Sequence, residues 1–397
     1  MSGTKNEKHE AILLRKADVD AILTKALERD RVDVIGEIRD SGLKGRGGAG
    51  FPTGVKWNLA AAAKADRKYI ICNADEGEPG TFKDRVLLSD FTDGLIAGMT
   101  VAGYAVGAEE GILYLRGEYS YLLEHLNARL KARRDKKLLG RDAAGRKGFH
   151  FDIVIRMGSG AYVCGEETAL IESLEGQRGE PRNRPPFPVT YGFMGKPTVV
   201  NNVETFITAL HILDKGAAWF KNFGTDQSTG TKLLSVSGDC TRPGLYEFPM
   251  GTTISELLAH VGGEKAKAVQ VGGASGRCVA QAEFGSTIAY EDISTGGSII
   301  VFSPHRDMLA VARNFMEFFA EESCGQCTPC RYGTETLLEG IEMLEHKKCS
   351  MKYLNELLGL CETMQIASKC GLGQSAPNAF VSIMKNFKHE ILTRSHE

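Results

Sequence analysis

Gly45-Arg46-Gly47-Gly48-Ala49-Gly50-Phe51-Pro52 is the stretch that decides how this chain is read. Four glycines fall within six positions. Glycine loses more backbone freedom on folding than any other residue, so such a run answers a need for positive φ or for close backbone approach. Arg46, with Lys44 and Lys56 on either side, makes an anion the natural occupant. The run is not a Walker loop, because no Gly-Lys-Ser/Thr closes it. Gly45, Gly47 and Gly50 match a Gly-x-Gly-x-x-Gly spacing, but the residues before them read as helix rather than strand. The choice lies between an ordinary flexible turn and a backbone cradle for a phosphate-bearing cofactor, and the flanking cations favour the cradle.

Outward from this run, Val19, Ile22, Leu23, Ala26 and Leu27 recur at helical spacing, and Ile35 to Ile38 predicts a second short helix. Downstream, residues 68–72 read as a short apolar strand running into Asn73-Ala74-Asp75-Glu76-Gly77-Glu78-Pro79-Gly80. Polar and acidic residues just past a strand's carboxyl end lie where α/β sheets keep their ligand sites. Asp84 is placed to cap the next helix, which leaves Asp75, Glu76 and Glu78 unexplained. That helix is expected over about residues 85–106, a strand at 111–116 and a helix at 120–137. The cluster Arg129, Lys131, Arg133, Arg134, Lys136 and Lys137 reads as a solvated helix end. A strand at 151–156 feeds Gly158 to Thr168, whose glycine turn opens a helix, again a cofactor-binding arrangement. Pro185-Pro186-Phe187-Pro188 alone reads as a stiff connector carrying one aromatic ring.

Composition shifts after Gly224. Residues 233–238, 244–248, 268–271 and 298–302 read as strands, with one helix at 254–261 between the pairs, which predicts a small β-grasp domain. Its Cys240 and Cys278 read as ordinary thiols. From about residue 307 the pattern is helical, with helices at 308–321, 334–344, 351–361 and 377–392, enough for a four-helix bundle. The expected organisation is an α/β domain with N-terminal helices over 1–226, a β-grasp (α+β) domain over 227–304 and a helical bundle over 305–397.

Length and composition agree with that division. At 397 residues the chain exceeds one domain. Its 42% apolar and 25% charged residues are those of a soluble globular protein, and a net charge of −2 argues against nucleic acid as the main partner. The longest weakly polar run, residues 94–108, contains Gly94, Gly98 and Gly103 and is too short to span a bilayer. Met1 to Glu10 is polar and charged without an apolar export core, which predicts a cytoplasmic location. Ten cysteines in such a chain are expected to be reduced, and to serve as ligands or buried thiols.

Cys324-x2-Cys327-x2-Cys330 puts three thiols within seven residues, and Cys370 follows in Lys369-Cys370-Gly371-Leu372-Gly373. Three close cysteines plus a remote one is a way to hold a [4Fe-4S] cluster. Zinc favours paired Cys-x2-Cys knuckles and stays open as the alternative. Cys349 and Cys361 compete for the fourth place. Cys361 sits within a predicted helix as a small apolar residue would, whereas the glycines beside Cys370 allow close approach to a cluster, and Cys370 is chosen.

The Gly45–Pro52 run, Asn73 to Gly80, Gly165-Glu166-Glu167-Thr168, Asn201-Asn202-Val203-Glu204 and Glu322-Ser323-Cys324-Gly325-Gln326-Cys327-Thr328-Pro329-Cys330 together resemble one family. It is the NADH-oxidising flavoprotein subunit of respiratory complex I and of soluble NAD-linked hydrogenases and formate dehydrogenases. The resemblance runs from about residue 30 to 390, and five motifs in one order make it specific. It implies an FMN-binding α/β domain, a β-grasp domain and a helical bundle carrying a [4Fe-4S] cluster. It implies that Gly45, Arg46, Gly47, Lys56, Asn73, Asp75, Glu76, Tyr162, Gly165, Glu166, Asn201 and Asn202 surround the FMN. It further implies that Phe51, Glu78, Glu167 and Phe187 line the NADH site, the two rings stacking on adenine and Glu167 facing the adenosine ribose. Hydride passes from NADH to the flavin, single electrons pass on to the cluster, and no side chain is expected to act as acid or base. Residues 370–377 look more like the hydrogenase and formate dehydrogenase branch, with the complex I subunit as the alternative. No second cluster motif occurs in the chain, which predicts a small [2Fe-2S] thioredoxin-like partner subunit beside a larger iron–sulfur or catalytic subunit. A contrasting expectation of another class is an iron–sulfur scaffold that senses nucleotide without turnover.

Overall fold

The coordinates are a computed structural model that describes residues 11–15 and 17–393. The Met1–Glu10 stretch lies outside the described residues. In chain order the elements are α1 (Val19–Glu28), α2 (Arg31–Asp40), α3 (Thr53–Ala62), β1 (Tyr69–Ala74), α4 (Lys83–Asp90), α5 (Thr92–Val106), β2 (Glu110–Leu115), α6 (Leu123–Asp135), β3 (Asp152–Met157), α7 (Glu167–Leu174), β4 (Thr198–Asn202), α8 (Val203–Lys215) and α9 (Ala217–Lys221). They continue as β5 (Thr231–Gly238), β6 (Gly244–Pro249), α10 (Ile254–Val261), β7 (Ala268–Val271), β8 (Arg277–Ala280), β9 (Ser298–Phe302), α11 (Met308–Glu322), α12 (Thr328–Glu345), α13 (Met351–Ala367), α14 (Gly371–Ser375) and α15 (Asn378–Thr393).

The first sheet is parallel throughout, in the order β3-β2-β1-β4. Strands β1, β2 and β4 are largely buried on both faces, as parallel strands are, whereas β3 at the edge is only partly buried. The alternation of side chains splits them cleanly. Ile70, Cys72 and Leu113 join the core formed with α1, α2, α3, α5 and α8. Ile71, Ile112, Tyr114 and Val200 face the other way, into a second core that includes α7 and runs on into the C-terminal helices. The carboxyl ends of β1 and β4 lie side by side, with Asn73 in register with Asn202, so any loop packed there meets both.

The second sheet is mixed, in the order β6-β5-β9-β7-β8, with β5 and β9 parallel and the other pairs antiparallel. Helix α10 packs Ile254, Leu257, Leu258 and Val261 against Leu234, Val236, Val269, Val279 and Val301. A Thr253–Glu256 capping box starts it. The C-terminal helices α11, α12, α13 and α15 share one core around Phe319, Leu337, Ile341, Leu357, Cys361 and Phe380. No single helix among the described residues is long and apolar enough to cross a membrane.

Several sequence expectations need correction. The helix expected over 85–106 is two helices, α4 and α5, bent by 94°. The break falls in Ser89-Asp90-Phe91-Thr92-Asp93, where short polar side chains compete for backbone partners: Thr92 Oγ1 donates to the Leu88 carbonyl at 2.5 Å. The helix expected at 120–137 starts with a 3₁₀ segment, Gly117–Leu122, before α6. Its basic residues are not simply a solvated end. Arg133 is buried and pairs with Asp20 of α1 and Asp93 of α5, so the cluster pins α6 to two neighbours. Strand β8 was not expected; at four residues beside Gly272, Gly273 and Gly276 it is too short to stand out. Helix α12 begins at Thr328, ahead of the expected 334, and thereby includes Cys330.

Candidate functional site

The glycine run forms a tight loop between α2 and α3. Gly45 N donates to the Phe51 carbonyl at 2.9 Å, closing it. Gly50 has φ +67°, and a Cβ there would lie 2.4 Å from the Tyr290 ring, so only glycine fits. The Tyr290 hydroxyl donates to the Gly45 carbonyl at 2.7 Å, which ties the loop to the second sheet's domain. A Cβ on Gly47 would lie 3.3 Å from Cβ of Asn202, so the loop rests on the β4–α8 junction. Arg46 N donates to Thr205 Oγ1 at 2.9 Å on the same junction. The Arg46 side chain is fully buried and donates to the Thr229 carbonyl at 2.7 Å, while its Nε and Nη1 have no partner among the described residues.

The ends of the parallel strands meet this loop. Asn73 Nδ2 donates to the Gly165 carbonyl at 2.8 Å, bringing the Gly165-Glu166-Glu167 turn onto β1. Asp75 follows, 8% exposed, with neither carboxylate oxygen hydrogen-bonded within the described residues. Burial pushes its carboxyl up to about 7; Arg116 opposes this, and Glu118 and Glu322 add to it. Glu76 is also buried, and its oxygens accept from Asp84 N at 2.8 Å, Arg85 N at 3.1 Å and Tyr119 Oη at 2.9 Å. Glu76, rather than Asp84, thus caps α4. Burial, followed by the Asp84 charge, pushes its carboxyl up to about 7 as well. Asn201 Oδ1 accepts from the buried Trp57 indole at 2.9 Å. Asn202 caps α8 by accepting from Glu204 N at 3.0 Å.

Glu166 and Glu167 divide two tasks. Glu166 is the N-cap of α7, accepting from Thr168 N at 2.9 Å and Ala169 N at 3.0 Å. Glu167 pairs with Lys56 Nζ at 2.9 Å, and Lys56 also donates to the Val200 carbonyl at 3.0 Å. Arg184 Nη1 lies 3.6 Å from Glu166 and 4.0 Å from Glu167, so the Pro185–Pro188 loop is held at the same helix end. The two aromatics expected at the mouth are exposed, Phe51 to 47% and Phe187 to 52%. Lys56 Nζ lies 5.8 Å from the Phe51 ring centre.

Glu78 is held by partners of its own. Its carboxylate accepts from Ser275 N at 3.1 Å, Ser275 Oγ at 2.7 Å and Tyr162 Oη at 2.7 Å. These partners clamp the β1 loop to the turn between β7 and β8. Tyr162 in turn packs edge-on against Phe318 at 5.0 Å, and its backbone N donates to Glu322 at 2.9 Å, two residues before Cys324. Ser275, Tyr290, Arg184 and Thr205 were not singled out from the sequence; each is an isolated polar residue made important by a long-range contact.

Cys324, Cys327, Cys330 and Cys370 line one small cavity with Pro181 and Leu372. Cys327 is the N-cap of α12 and Cys370 that of α14. Helix N-termini favour negative charge on these sulfurs. Burial pushes the Cys330 thiol up to about 11, with the neighbouring cysteines adding to it, so a bound cation is needed to draw off that proton readily. Gly373 approaches closely: a Cβ there would lie 2.8 Å from Cβ of Cys330, whereas Gly371 has open space. Cys361 is buried inside α13 and Cys349 lies in the turn before it; neither lines the cavity. Among the described residues no three His, Cys, Asp or Glu side chains converge tightly enough for a single metal ion. Arg178 donates to the Cys324 carbonyl at 2.9 Å, joining the first domain to the cysteine loop.

Comparison with known proteins gives three matched regions: the Nuo51 FMN-binding domain over residues 38–211, the SLBB domain over 233–278 and the NADH-ubiquinone oxidoreductase-F iron-sulfur binding region over 310–394. The chain is 49% identical over 373 residues to the NAD-reducing hydrogenase HoxS subunit alpha of Cupriavidus necator, covering 94% of this chain and 62% of that relative, so it spans less than two thirds of it. It is 42% identical to the NADP-reducing hydrogenase subunit HndC of Solidesulfovibrio fructosivorans, covering 93% of this chain and 77% of the relative. It is 39% identical to an NADH-quinone oxidoreductase subunit of Rhizobium meliloti, covering 98% of both. The crystal structure of an NAD+-reducing [NiFe]-hydrogenase in the H2-reduced state superposes with a TM-score of 0.91 at 42% identity, covering 98% of this chain and 68% of the other.

Proposed function

The chain belongs to the family of flavoprotein subunits found in NADH-quinone oxidoreductases and NAD(P)-reducing hydrogenases, and from that premise we propose that it is the electron-input subunit of an NAD-linked oxidoreductase. One observation carries the reading: the glycine cradle, the strand-end Asn73 and Asp75, and the Gly165 turn converge at the carboxyl ends of β1 and β4, and Asp75 keeps two buried acceptor oxygens there without a partner among the described residues. A bound FMN would supply those partners. When bound, FMN takes up a hydride and gives up electrons singly, and a [4Fe-4S] cluster accepts them one at a time.

The protein's own work is positioning. Gly45, Gly47 and the loop amides hold the phosphate end. Lys56, Asn73, Asp75, Glu76, Gly165, Glu166, Asn201 and Asn202 shape the pocket, with Glu76 and Glu166 acting through the helices they cap. Arg46 holds the loop to the core and has two N–H groups to spare. Phe51 and Phe187 offer exposed rings for the adenine, and Glu167, oriented by Lys56, offers an acceptor to the ribose. Glu78, oriented by Ser275 and Tyr162, lines the same NADH site. Cys324, Cys327, Cys330 and Cys370 hold the cluster; four thiols lining one cavity, three of them within seven residues, suit a [4Fe-4S] cluster, whereas zinc favours paired Cys-x2-Cys knuckles.

We assign residues 227–304 to a β-grasp fold, from the mixed sheet wrapped on one helix, and 305–397 to a four-helix bundle with α14 as an insertion. The partner assembly is a soluble NAD-linked hydrogenase or formate dehydrogenase, with a small [2Fe-2S] subunit taking electrons from the bundle. The likeness to hydrogenase subunits supports this; end-to-end coverage of the Rhizobium protein keeps the NADH-quinone oxidoreductase as the second reading. The test is an absorption spectrum of the purified chain with its activity: flavin and iron–sulfur bands with NADH-dependent reduction of an artificial acceptor are expected. Iron–sulfur absorbance without flavin would leave the nucleotide-sensing scaffold instead.

A further inference from the structure

Beneath the cradle lies a cluster of buried charges that the proposed function does not use. Lys83 is fully buried at the start of α4; its Nζ donates to Asp84 at 2.7 Å and Asn202 Oδ1 at 3.0 Å and lies 3.1 Å from Glu204. Asp84 accepts from Asn202 Nδ2 at 2.6 Å. Glu204, with no exposed surface, also accepts from Lys232 Nζ and from Leu233 N at 2.9 Å. Lys83 and Asp84 thus hold both ends of the Asn202 amide, and Glu204, shared by Lys83 and Lys232, links that pair to β5. The stem of Lys83 packs close on Gly297, where a Cβ would lie 2.9 Å from its Cδ and 2.8 Å from the Leu233 carbonyl oxygen.

Such a cluster is a poor way to hold domains together. Buried ion pairs can often be replaced by apolar packing with no loss of stability, so a retained network calls for another reason. Burial opposes the charge on Lys83, but Asp84 and Glu204 outweigh it and hold the ammonium well above its ordinary range. Burial likewise opposes ionisation of Glu204, and Lys232 and Lys83 outweigh it and keep the carboxylate ionised. Lys232 has no second anion, and burial pulls it down to about 7. Lys83 is therefore the anchored cation, and it sits one residue's width below Gly47, through Asn202.

Resting on the FMN reading above, we propose that Lys83 and Asp84 are positioning residues that fix the Asn202 amide and, by their opposed buried charges, set how strongly the site favours reduced over oxidised flavin. Hydride addition leaves extra negative charge on a flavin, and charges in a low-dielectric interior act on it at long range. Removing Lys83 leaves anions dominant and disfavours the reduced form; removing the Asp84 charge does the opposite.

The test is spectroelectrochemical titration of the flavin in the purified, fully loaded protein, with Asp84→Asn and Lys83→Met. Asp84→Asn keeps an acceptor toward Asn202 and is expected to favour reduced flavin about tenfold, raising the two-electron midpoint by about 30 mV. Lys83→Met is expected to lower it. If Lys83→Met does not fold, Asp84→Asn alone carries the sign. Flavin retained with a midpoint unmoved in Asp84→Asn, or moved downward, overturns the proposal while leaving the FMN reading intact. Wild-type protein that binds no flavin overturns both.

Discussion

Asp75→Asn separates a buried acid held for a cofactor from one that merely belongs to the fold. Asp75 is 8% exposed, lacks a partner for either oxygen within the described residues, and has its carboxyl pushed by burial from 3.8 to about 7. Without flavin, the folded protein holds this proton more tightly than the unfolded chain does. Its contribution is therefore fully present below about pH 4 and lost as pH rises to about 7. At about 1.4 kcal/mol for each pH unit, the penalty at pH 8 reaches roughly 4 kcal/mol as an upper figure, since Asp75 lies near a site open to water. Asparagine carries no such penalty. Flavin-stripped Asp75→Asn protein is expected to be more stable than wild type at pH 8, by up to roughly 4 kcal/mol, and little different near pH 4. Urea unfolding at the two pH values, followed by tryptophan fluorescence, measures this, because Trp57 and Trp219 both pack in the first core. Flavin affinity should move the other way. A hydrogen bond to a charged group is worth about 1.5–3 kcal/mol, so Asn should weaken FMN binding by about one to two decades. Parallel stability differences at both pH values, or unchanged flavin affinity, would refute the reasoning.

Cys370→Ser is expected to bleach the iron–sulfur absorbance and lower iron content, while Cys349→Ser and Cys361→Ser should leave both intact, since only Cys370 lines the cavity with the other three. Glu167→Ala removes the partner of Lys56 beside Arg184. It should weaken NADH binding by about one to two decades and improve use of NADPH, whose 2′-phosphate then meets two cations instead of a carboxylate; an unchanged ratio of the two kcat/KM values would place selectivity elsewhere. Tyr290→Phe deletes the hydrogen bond that holds the Gly45 carbonyl; about 1 kcal/mol, or roughly fivefold in flavin affinity, should be lost without change in iron content. The native enzyme should elute with a [2Fe-2S] subunit on size exclusion, and elution of this chain alone with full physiological activity would remove that partner.

What the sequence reveals about this site follows from how the site is built. Gly45 to Pro52, Asn73 to Gly80 and Gly165 to Thr168 are contiguous runs whose composition departs from packing needs, so each could be recognised before its neighbours were known. Cys324, Cys327 and Cys330 are similarly local, and only Cys370 had to be chosen among distant thiols; its place at the N-cap of α14 gives the choice a physical basis. The contacts that the sequence does not disclose join residues far apart in the chain. Arg133 looks like one of six cations on a helix until Asp20 and Asp93 arrive from α1 and α5. Glu78 reads from the sequence as a ligand residue in an acidic loop, and only folding brings Ser275, 197 residues away, to orient it with two hydrogen bonds. Lys83, Glu204 and Lys232 read singly as ordinary helix-start and strand charges, and burial alone turns them into a network. Motif recognition therefore finds the loops that gather at the carboxyl ends of β1 and β4, whereas the buried charges beneath them have a significance that exists only after folding. It is at those charges, Asp75 and the Lys83–Asp84 pair above all, that substitution should separate binding of the flavin from the potential at which it works.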